Sequence, residues 1–317
     1  MYKYIIHRLL QLVPTVFAAS VLVFLIIQMA PGDPVTIMLG TEATPEQIAR
    51  ERTKLGLDKP LIVRYTIWLS NVVRFDLGNS LVNSRPVVQV ISEAFPHTAL
   101  LAVTALFVSI ALGFPLGILA AIKQDSHLDT LITGLSSIVL SVPGFWLGML
   151  LILLFSVRLH WLPSSGTSES GQGLLKNISF LVMPVASIAI TEASVFTRFL
   201  RSTMIDVIGT DYIRTARAKG LVEQVVIRRH ALRNALLPVV TIIGIEFGRM
   251  LGGAVIIESV FSYSGMGRLV INAILNRDYP VIQGVLLVVV LVFLITNLLV
   301  DLTYSYLDPR VTFERAR

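Results

Sequence analysis

The chain has 317 residues, 54% of them hydrophobic and 15% charged, with a mean hydropathy of +0.76 and a formal net charge of +6. Soluble domains carry about a quarter of their residues as Asp, Glu, Lys and Arg, so this shortage of charge excludes an ordinary soluble enzyme and points to the membrane. No cysteine is present, which excludes disulfides, thiolate nucleophiles and cysteine-based metal sites.

A helix needs about 20 apolar residues to cross the hydrocarbon core of a bilayer. Leu9–Gly32 is the first stretch without Asp, Glu, Lys or Arg. Lys3 and Arg8 before it, with Ala18, Ala19 and Ser20 inside it, invite a signal-peptide reading. A signal h-region runs only about 7–15 residues, however, so an uncleaved first span is expected. Pro31–Pro96 follows, with seven basic and seven acidic residues and helical punctuation. Thr44-Pro45-Glu46-Gln47 predicts a capped helix start, and Gly56 its end. Leu61, Tyr65, Trp68, Leu69 and Val72 recur at helical spacing and predict an amphipathic helix, lying on the membrane or on neighbouring helices. Ser84 before Pro86 marks a further start.

Thr98–Ile122, Thr130–Val157 and Tyr279–Val300 are again free of charge. Asn177–Thr197 contains only Glu192, and Leu236–Ile257 only Glu246 and Arg249, giving six predicted spans. Gly113-Phe114-Pro115-Leu116-Gly117, Ser141-Val142-Pro143-Gly144 and Pro184 interrupt them and predict kinks. From Arg198 to Arg233 eight Lys and Arg residues face three acids, and the tail adds Arg310, Arg315 and Arg317. The positive-inside bias places both termini and this central loop in the cytoplasm. The predicted fold is therefore an all-α membrane protein, with a first transmembrane helix over 1–30 and an extracytoplasmic helical segment over 31–96. A transmembrane core over 97–306 contains a cytoplasmic loop over 201–236 between the fourth and fifth spans, and a cytoplasmic tail covers 307–317.

Charges inside a membrane are candidate sites. Glu246 and Arg249 stand three apart on one helix face and can pair, as a lining for a solute path or as a self-neutralised structural pair. Glu192 has no local partner and should face the bundle interior; Glu258 and Asp301 belong near span ends. In the central loop, Thr210-Asp211 predicts a helix start, while Lys219 and Gly220 predict its end, with positive φ at Gly220. Ala216, Ala218 and Gly220 keep this helix thin enough to enter a partner's groove. A second helix over Glu223–Leu236 carries Arg228, Arg229, His230 and Arg233. No G-x-x-x-x-G-K-[ST], H-E-x-x-H or G-x-S-x-G motif is present, and no basic stripe is interleaved with aromatics. No catalytic, metal, cofactor or nucleic-acid site is therefore predicted.

The segment Asp211–Pro238, DYIRTARAKGLVEQVVIRRHALRNALLP, resembles the cytoplasmic loop of binding-protein-dependent ABC transporter permeases of the dipeptide/oligopeptide/nickel branch. The Glu-Ala-Ala of that loop corresponds to Arg214-Thr215-Ala216, with Gly220 at the expected place. Leu237-Pro238 lies farther on than in the general loop, as in the longer peptide-branch form HALRNALLP. RLLQLVPTVFAASVLVFLI near the start, Ala30–Pro34 (APGDP), Leu55–Leu61 (LGLDKPL), Phe261–Leu269 (FSYSGMGRL) and Arg277–Gly284 (RDYPVIQG) extend the resemblance across the chain. It implies a B-type permease subunit that moves di- or oligopeptides, with glutathione, nickel chelates and opine-like compounds also open. The implied partners are a homologous second permease, two cytoplasmic ATPases that hold ATP and Mg, and an extracytoplasmic solute-binding protein. It also implies an ATPase-coupling site over Asp211, Arg214, Thr215, Ala216, Arg217, Ala218, Lys219, Gly220 and Pro238. The competing reading is a secondary transporter driven by an ion gradient, with Glu192, Glu246 and Arg249 as coupling charges. No convincing internal repeat supports it.

Overall fold

The structure is a computed structural model that describes residues 2–29, 35, 43–54, 56–167 and 174–307. Ala30–Pro34, Leu55 and the tail beyond Leu307 lie outside the described residues. Eleven helices make up the described chain: α1 (Tyr2–Met29), α2 (Pro45–Lys54), α3 (Leu61–Val73), α4 (Val87–Ile122), α5 (His127–Leu140), α6 (Gly144–Arg158), α7 (Leu174–Ile208), α8 (Asp211–Ala218), α9 (Glu223–Val260), α10 (Met266–Leu275) and α11 (Tyr279–Leu307). Among the described residues the only β pairing is one isolated antiparallel bridge, Asn79 to Pro86.

Five of these helices are long and apolar enough to cross a membrane. The sixth predicted span, Thr130–Val157, is not one helix: α5 and α6 meet at 95°. Helix α5 closes as Ser141 N–H donates to the carbonyls of Ser137 and Ile138, and α6 restarts from Pro143, whose φ of −61° and ψ of 134° are non-helical. A proline has no N–H to continue the ladder and disfavours helix before it, so this kink forms where it was expected.

At the other two predicted kinks the chain stays helical. Pro115 lies within the 36 residues of α4 and Pro184 within the 35 of α7. The glycines beside Pro115 serve packing instead. A Cβ on Gly113 would stand 2.6 Å from the Ala193 carbonyl oxygen, and one on Gly117 2.9 Å from that of Thr197. Bare backbone at this four-residue spacing lets α4 and α7 approach closely. The Thr197 hydroxyl also donates to the Gly113 carbonyl at 3.2 Å.

Helix ends were misplaced by reading apolar runs alone. The 38 residues of α9 span about 57 Å at 1.5 Å per residue, well beyond a core about 30 Å thick. The basic helix and fifth span expected as separate pieces are this one helix, with a π-helical stretch at Val226–Ala231. Likewise α7 runs on to Ile208, so Arg198 and Arg201 lie on a helix rather than in a loop.

The described chain divides into two compact units. One comprises Ala99–Tyr263 and the end of α11 from Ile295; the other comprises Ile6–Thr98 and Ser264–Leu294. In the first, one core gathers Leu101, Met183, Ile188, Met250, Ile257 and Phe261. A second core gathers Leu200, Met204, Ile213, Val226, Ile227 and Val239. In the second unit, α2 has the capped start expected there, and the cap is a reciprocal capping box: the Thr44 N–H donates to Gln47 Oε1 at 2.9 Å and the Gln47 N–H to Thr44 Oγ1 at 3.3 Å. Tyr65 and Trp68 of α3 pack on Phe24 of α1, with ring centroids 5.4 and 5.7 Å apart, and Tyr65 Oη bonds Ser20 Oγ at 2.7 Å. Asp278, 4% exposed, accepts hydrogen bonds from the Ser80 hydroxyl and the Leu81 N–H, fixing the turn that precedes α4.

Candidate coupling surface and buried charge cluster

Helix α8 is short because both of its ends are specified. Thr210 precedes it with extended backbone but does not cap it; its hydroxyl donates back to the Val207 carbonyl instead, which corrects the sequence expectation. Gly220 ends the turn with φ +77°, as expected of the glycine after a helix. A side chain there would meet no neighbour in this chain, so the glycine is required by conformation and not by space.

Asp211, Arg214, Thr215, Arg217, Ala218, Lys219 and Gly220 are all exposed, and Pro238 is exposed on α9. Ala216 is not. It is 7% exposed and packs with Ile213 against Met204, Val226, Ile227 and Ala231. Its small size therefore seats α8 on its own unit, whereas Ala218 and Gly220 remain open to a partner. Two contacts fix the helix from its outer side. Arg217 forks onto Glu223 with distances of 3.1 and 2.7 Å. Asn234 Nδ2 donates to Tyr212 Oη at 2.7 Å. The bond to Glu223 holds the Arg217 guanidinium above its ordinary pKa, so it stays charged. Asp211 and Arg214 pair at 3.3 Å in full view of solvent, worth at most about 1 kcal/mol.

Sequence reasoning missed part of this surface. Tyr212, Leu221, Val222 and Val225 are exposed by 42, 39, 68 and 40%, giving α8 and the turn after it an apolar edge. It also missed the ion pair that holds α7 to α5. Arg201 Nε and Nη2 reach Asp129 Oδ1 and Oδ2 at 2.5 and 2.6 Å, while the Asp125 N–H donates to Oδ2 at 3.0 Å. Asp129 is 3% exposed. Its distance in sequence from Arg201 left no local signal to join them.

Farther along α7 and α9, the three charges expected to line a path come together. Arg249 Nη1 donates to Glu246 Oε1 at 3.0 Å and to Oε2 at 3.3 Å. The Glu246 side chain is 7% exposed and that of Arg249 71%, so the pair points from the protein interior outward. Glu192 lies within electrostatic reach of both, and its Oε2 is buried without a hydrogen-bond partner. The guanidinium is bonded to Glu246 alone, which leaves the buried Glu192 oxygen as an open acceptor. Glu258 lies two residues before the end of α9 at Val260, near a span end as expected, and is fully buried.

Residues 113–313 match the family described as the binding-protein-dependent transport system inner membrane component, and residues 1–102 match the N-terminal region of such membrane components. A protein of Brucella abortus named for a peptide transport system permease is 41% identical over 310 residues, covering 98% of this chain and 99% of that one. The glutathione transport system permease protein of an Escherichia coli O6:H1 strain is 42% identical over 314 residues, 99% of this chain and 100% of that one. Among solved structures, an inward-facing form of the MetNI methionine ABC transporter superposes with a TM-score of 0.59 at 17% identity, covering 69% of this chain and 97% of that one. That likeness establishes the fold.

Proposed function

The chain belongs to the family of binding-protein-dependent transport system inner membrane components, and from that premise we propose that it is a permease subunit of an ABC importer for short peptides, glutathione among them. The peptide and glutathione names of relatives matched over nearly their whole length carry the substrate class. On this reading a homologous permease completes the path, two cytoplasmic ATPases bind ATP and Mg, and an extracytoplasmic binding protein delivers solute. The chain sits in the inner membrane with both termini and α8 in the cytoplasm, in keeping with the basic bias of 198–233. The domain division drawn from the sequence applies within it.

The coupling site comprises the exposed residues Asp211, Arg214, Thr215, Arg217, Ala218, Lys219 and Gly220, with Pro238 nearby and Ala216 as its anchor to the core. Glu192, Glu246 and Arg249 line the path. The observation that carries the coupling reading is the latched, exposed α8, held by Arg217–Glu223 and bearing an apolar edge. Rigid attachment lets a push on α8 reach the spanning helices as a body movement.

Reconstitution into liposomes with co-purified partner subunits tests it. Uptake of a labelled di- or tripeptide should require ATP on the α8 side and the binding protein on the other. Uptake without ATP but driven by an imposed proton or sodium gradient would overturn the proposal.

A further inference from the structure

Near α8, Arg201 pairs with Asp129, Arg214 with Asp211 and Arg217 with Glu223, and farther along α9 Arg249 pairs with Glu246, while Arg198 on α7 is exposed and has no carboxylate partner among the described residues. Arg228, Arg229 and Arg233 also stand outside these pairs. All three are exposed, and among the described residues none has a carboxylate partner. With Leu232 and Leu236 their aliphatic stems line one shallow, almost wholly apolar groove of about 430 Å³ at the start of α9. The opposite face of this helix, through Val226, Ile227, Ala231 and Ala235, is buried in the core, and Leu232 and Leu236 stand half-buried against its edge, so the groove opens beside that core. The π-helical stretch at Val226–Ala231 contributes to its shape, because a wider turn brings residues five apart toward one line, the spacing of Arg228 and Arg233.

The order of the lining decides what fits. Charge dominates the loop end, at Arg228 and Arg229, and Leu236 opens the apolar run Leu236–Ile257 that enters the membrane. From Arg228 to Leu236, eight steps or about 12 Å of helix, the side chains around this apolar groove change from mainly cationic to mainly apolar in the direction of the bilayer. An acidic protein surface would answer the charge but not a leucine floor continuous with a membrane span. A nucleotide or free phosphate would leave the leucines bare. An amphiphile with an anionic head answers both. Guanidinium forks match phosphate oxygens, and basic pockets at the cytoplasmic ends of membrane helices suit anionic lipid heads.

We propose that this groove binds an anionic phospholipid, with the headgroup phosphate held by Arg228, Arg229 and Arg233 and an acyl chain lying on Leu232 and Leu236. The site is distinct from the exposed face of α8 and uses none of the path charges. A bound lipid would set one negative charge among three unpaired cations and brace α9 where it leaves the bilayer.

The test is binding of phosphatidylglycerol to the full chain in neutral detergent, read by native mass spectrometry, with phosphatidylcholine and inorganic phosphate as comparison ligands. Each arginine near an anionic surface contributes about fivefold in affinity, so Arg229→Gln should weaken phosphatidylglycerol binding about fivefold. Removing all three arginines should weaken it on the order of a hundredfold. Leu236→Asn should weaken it too, and phosphatidylcholine should bind poorly throughout. Arg229→Gln alters one exposed side chain, so it keeps the test valid should the triple variant fold poorly. Equal phosphatidylglycerol binding by wild type and Arg229→Gln would overturn the proposal, as would competition by inorganic phosphate to completion. Loss of co-purifying ATPase subunits from Arg229→Gln with unchanged lipid binding would make the groove a protein-docking surface instead. The readout is lipid binding, so a negative result leaves the transport reading standing.

Discussion

Alanine at Gly113 sets two effects of opposite sign against each other. In the interior of a helix, Gly→Ala is intrinsically favourable by about 0.5–1 kcal/mol, because glycine loses more backbone entropy on folding. At Gly113 the new Cβ would stand 2.6 Å from the Ala193 carbonyl oxygen, 3.0 Å from Phe196 Cβ and 3.2 Å from Ala193 Cα. Carbon–oxygen contacts between helices settle near 3.3–3.6 Å, so the backbones must separate by nearly 1 Å. Ala193 O and Cα are backbone atoms and cannot rotate aside. Overpacking of this kind costs about 1–3 kcal/mol, and separation also weakens the Thr197–Gly113 hydrogen bond, worth about 0.5–1.5 kcal/mol. The contact wins, and a net loss of about 1–3 kcal/mol is expected. Gly117→Ala should behave alike, since its Cβ would meet Thr197 O at 2.9 Å. Gly134→Ala is the control: nothing lies within 4 Å, so the helical gain should stand alone. Unfolding of the purified chain in mixed micelles by increasing SDS, followed by tryptophan fluorescence, measures all three. A Gly113→Ala chain as stable as wild type would refute the close approach of α4 and α7.

The Asp129–Arg201 fork is nearly buried at its acidic end, so Arg201→Ala should cost on the order of 3 kcal/mol by leaving that carboxylate unpaired; Arg201→Lys should recover only part of it in the same unfolding assay. Reversing Glu246 and Arg249 together should restore much of the expression that either single reversal loses if the pair is structural. If it lines the path, expression should survive while substrate choice shifts, and normal uptake after both alanine changes removes it from either role. The chain has no cysteine, so a cysteine at exposed Asn83 should react with an impermeant thiol reagent outside intact cells and one at exposed Gln224 should not, with the reverse pattern sinking the topology. Gly220→Val forces a β-branched residue to φ +77°, a local strain of about 1–2 kcal/mol with no clash, so membrane abundance should hold while peptide uptake and coupled ATP hydrolysis fall.

Much of the architecture was legible because it rests on local rules. Apolar runs located the membrane helices, Thr44 with Gln47 gave the start of α2, and Gly220 gave the end of α8. Helix lengths were not legible, since hydropathy marks where a helix is apolar and not where its hydrogen bonds stop. The extension of α7 to Ile208 consequently passed for loop, and the basic helix over Glu223–Leu236 passed for a piece separate from the span it continues into. The packing role of Gly113 and Gly117 was not legible in the sequence, because only their partners at Ala193 and Thr197 show that the missing side chains make room for another backbone. Ala216 had the same ambiguity, and burial resolves it toward the chain's own core. Asp129 with Arg201, and Ser80 with Asp278, join residues far apart in sequence. Only the fold could show either pair.

These corrections change how motion at the proposed coupling site would travel. Had α8 hung between flexible loops, a push on it would dissipate in them. Instead it follows the end of α7 after only Gly209 and Thr210, and Arg217–Glu223 ties it to the start of α9. Ile213 and Ala216 seat it on the core that those two helices build. The candidate path charges stand on the same pair of helices: Glu192 on α7, and Glu246 with Arg249 on α9. From Asp211 back to Glu192 is nineteen residues, about 28 Å if helical throughout. From Glu223 up to Glu246 is twenty-three, about 35 Å on the same measure. A helix pair gripped at one end would therefore carry a displacement of α8 to the unpartnered Glu192 oxygen without any intervening loop. Ala216→Glu should then break the seat rather than the outer contact: it would place a charge among Met204, Val226 and Ile227. Loss of stability in that variant well beyond the strain of about 1–2 kcal/mol expected of Gly220→Val is the pattern that separates the two roles within a single short helix.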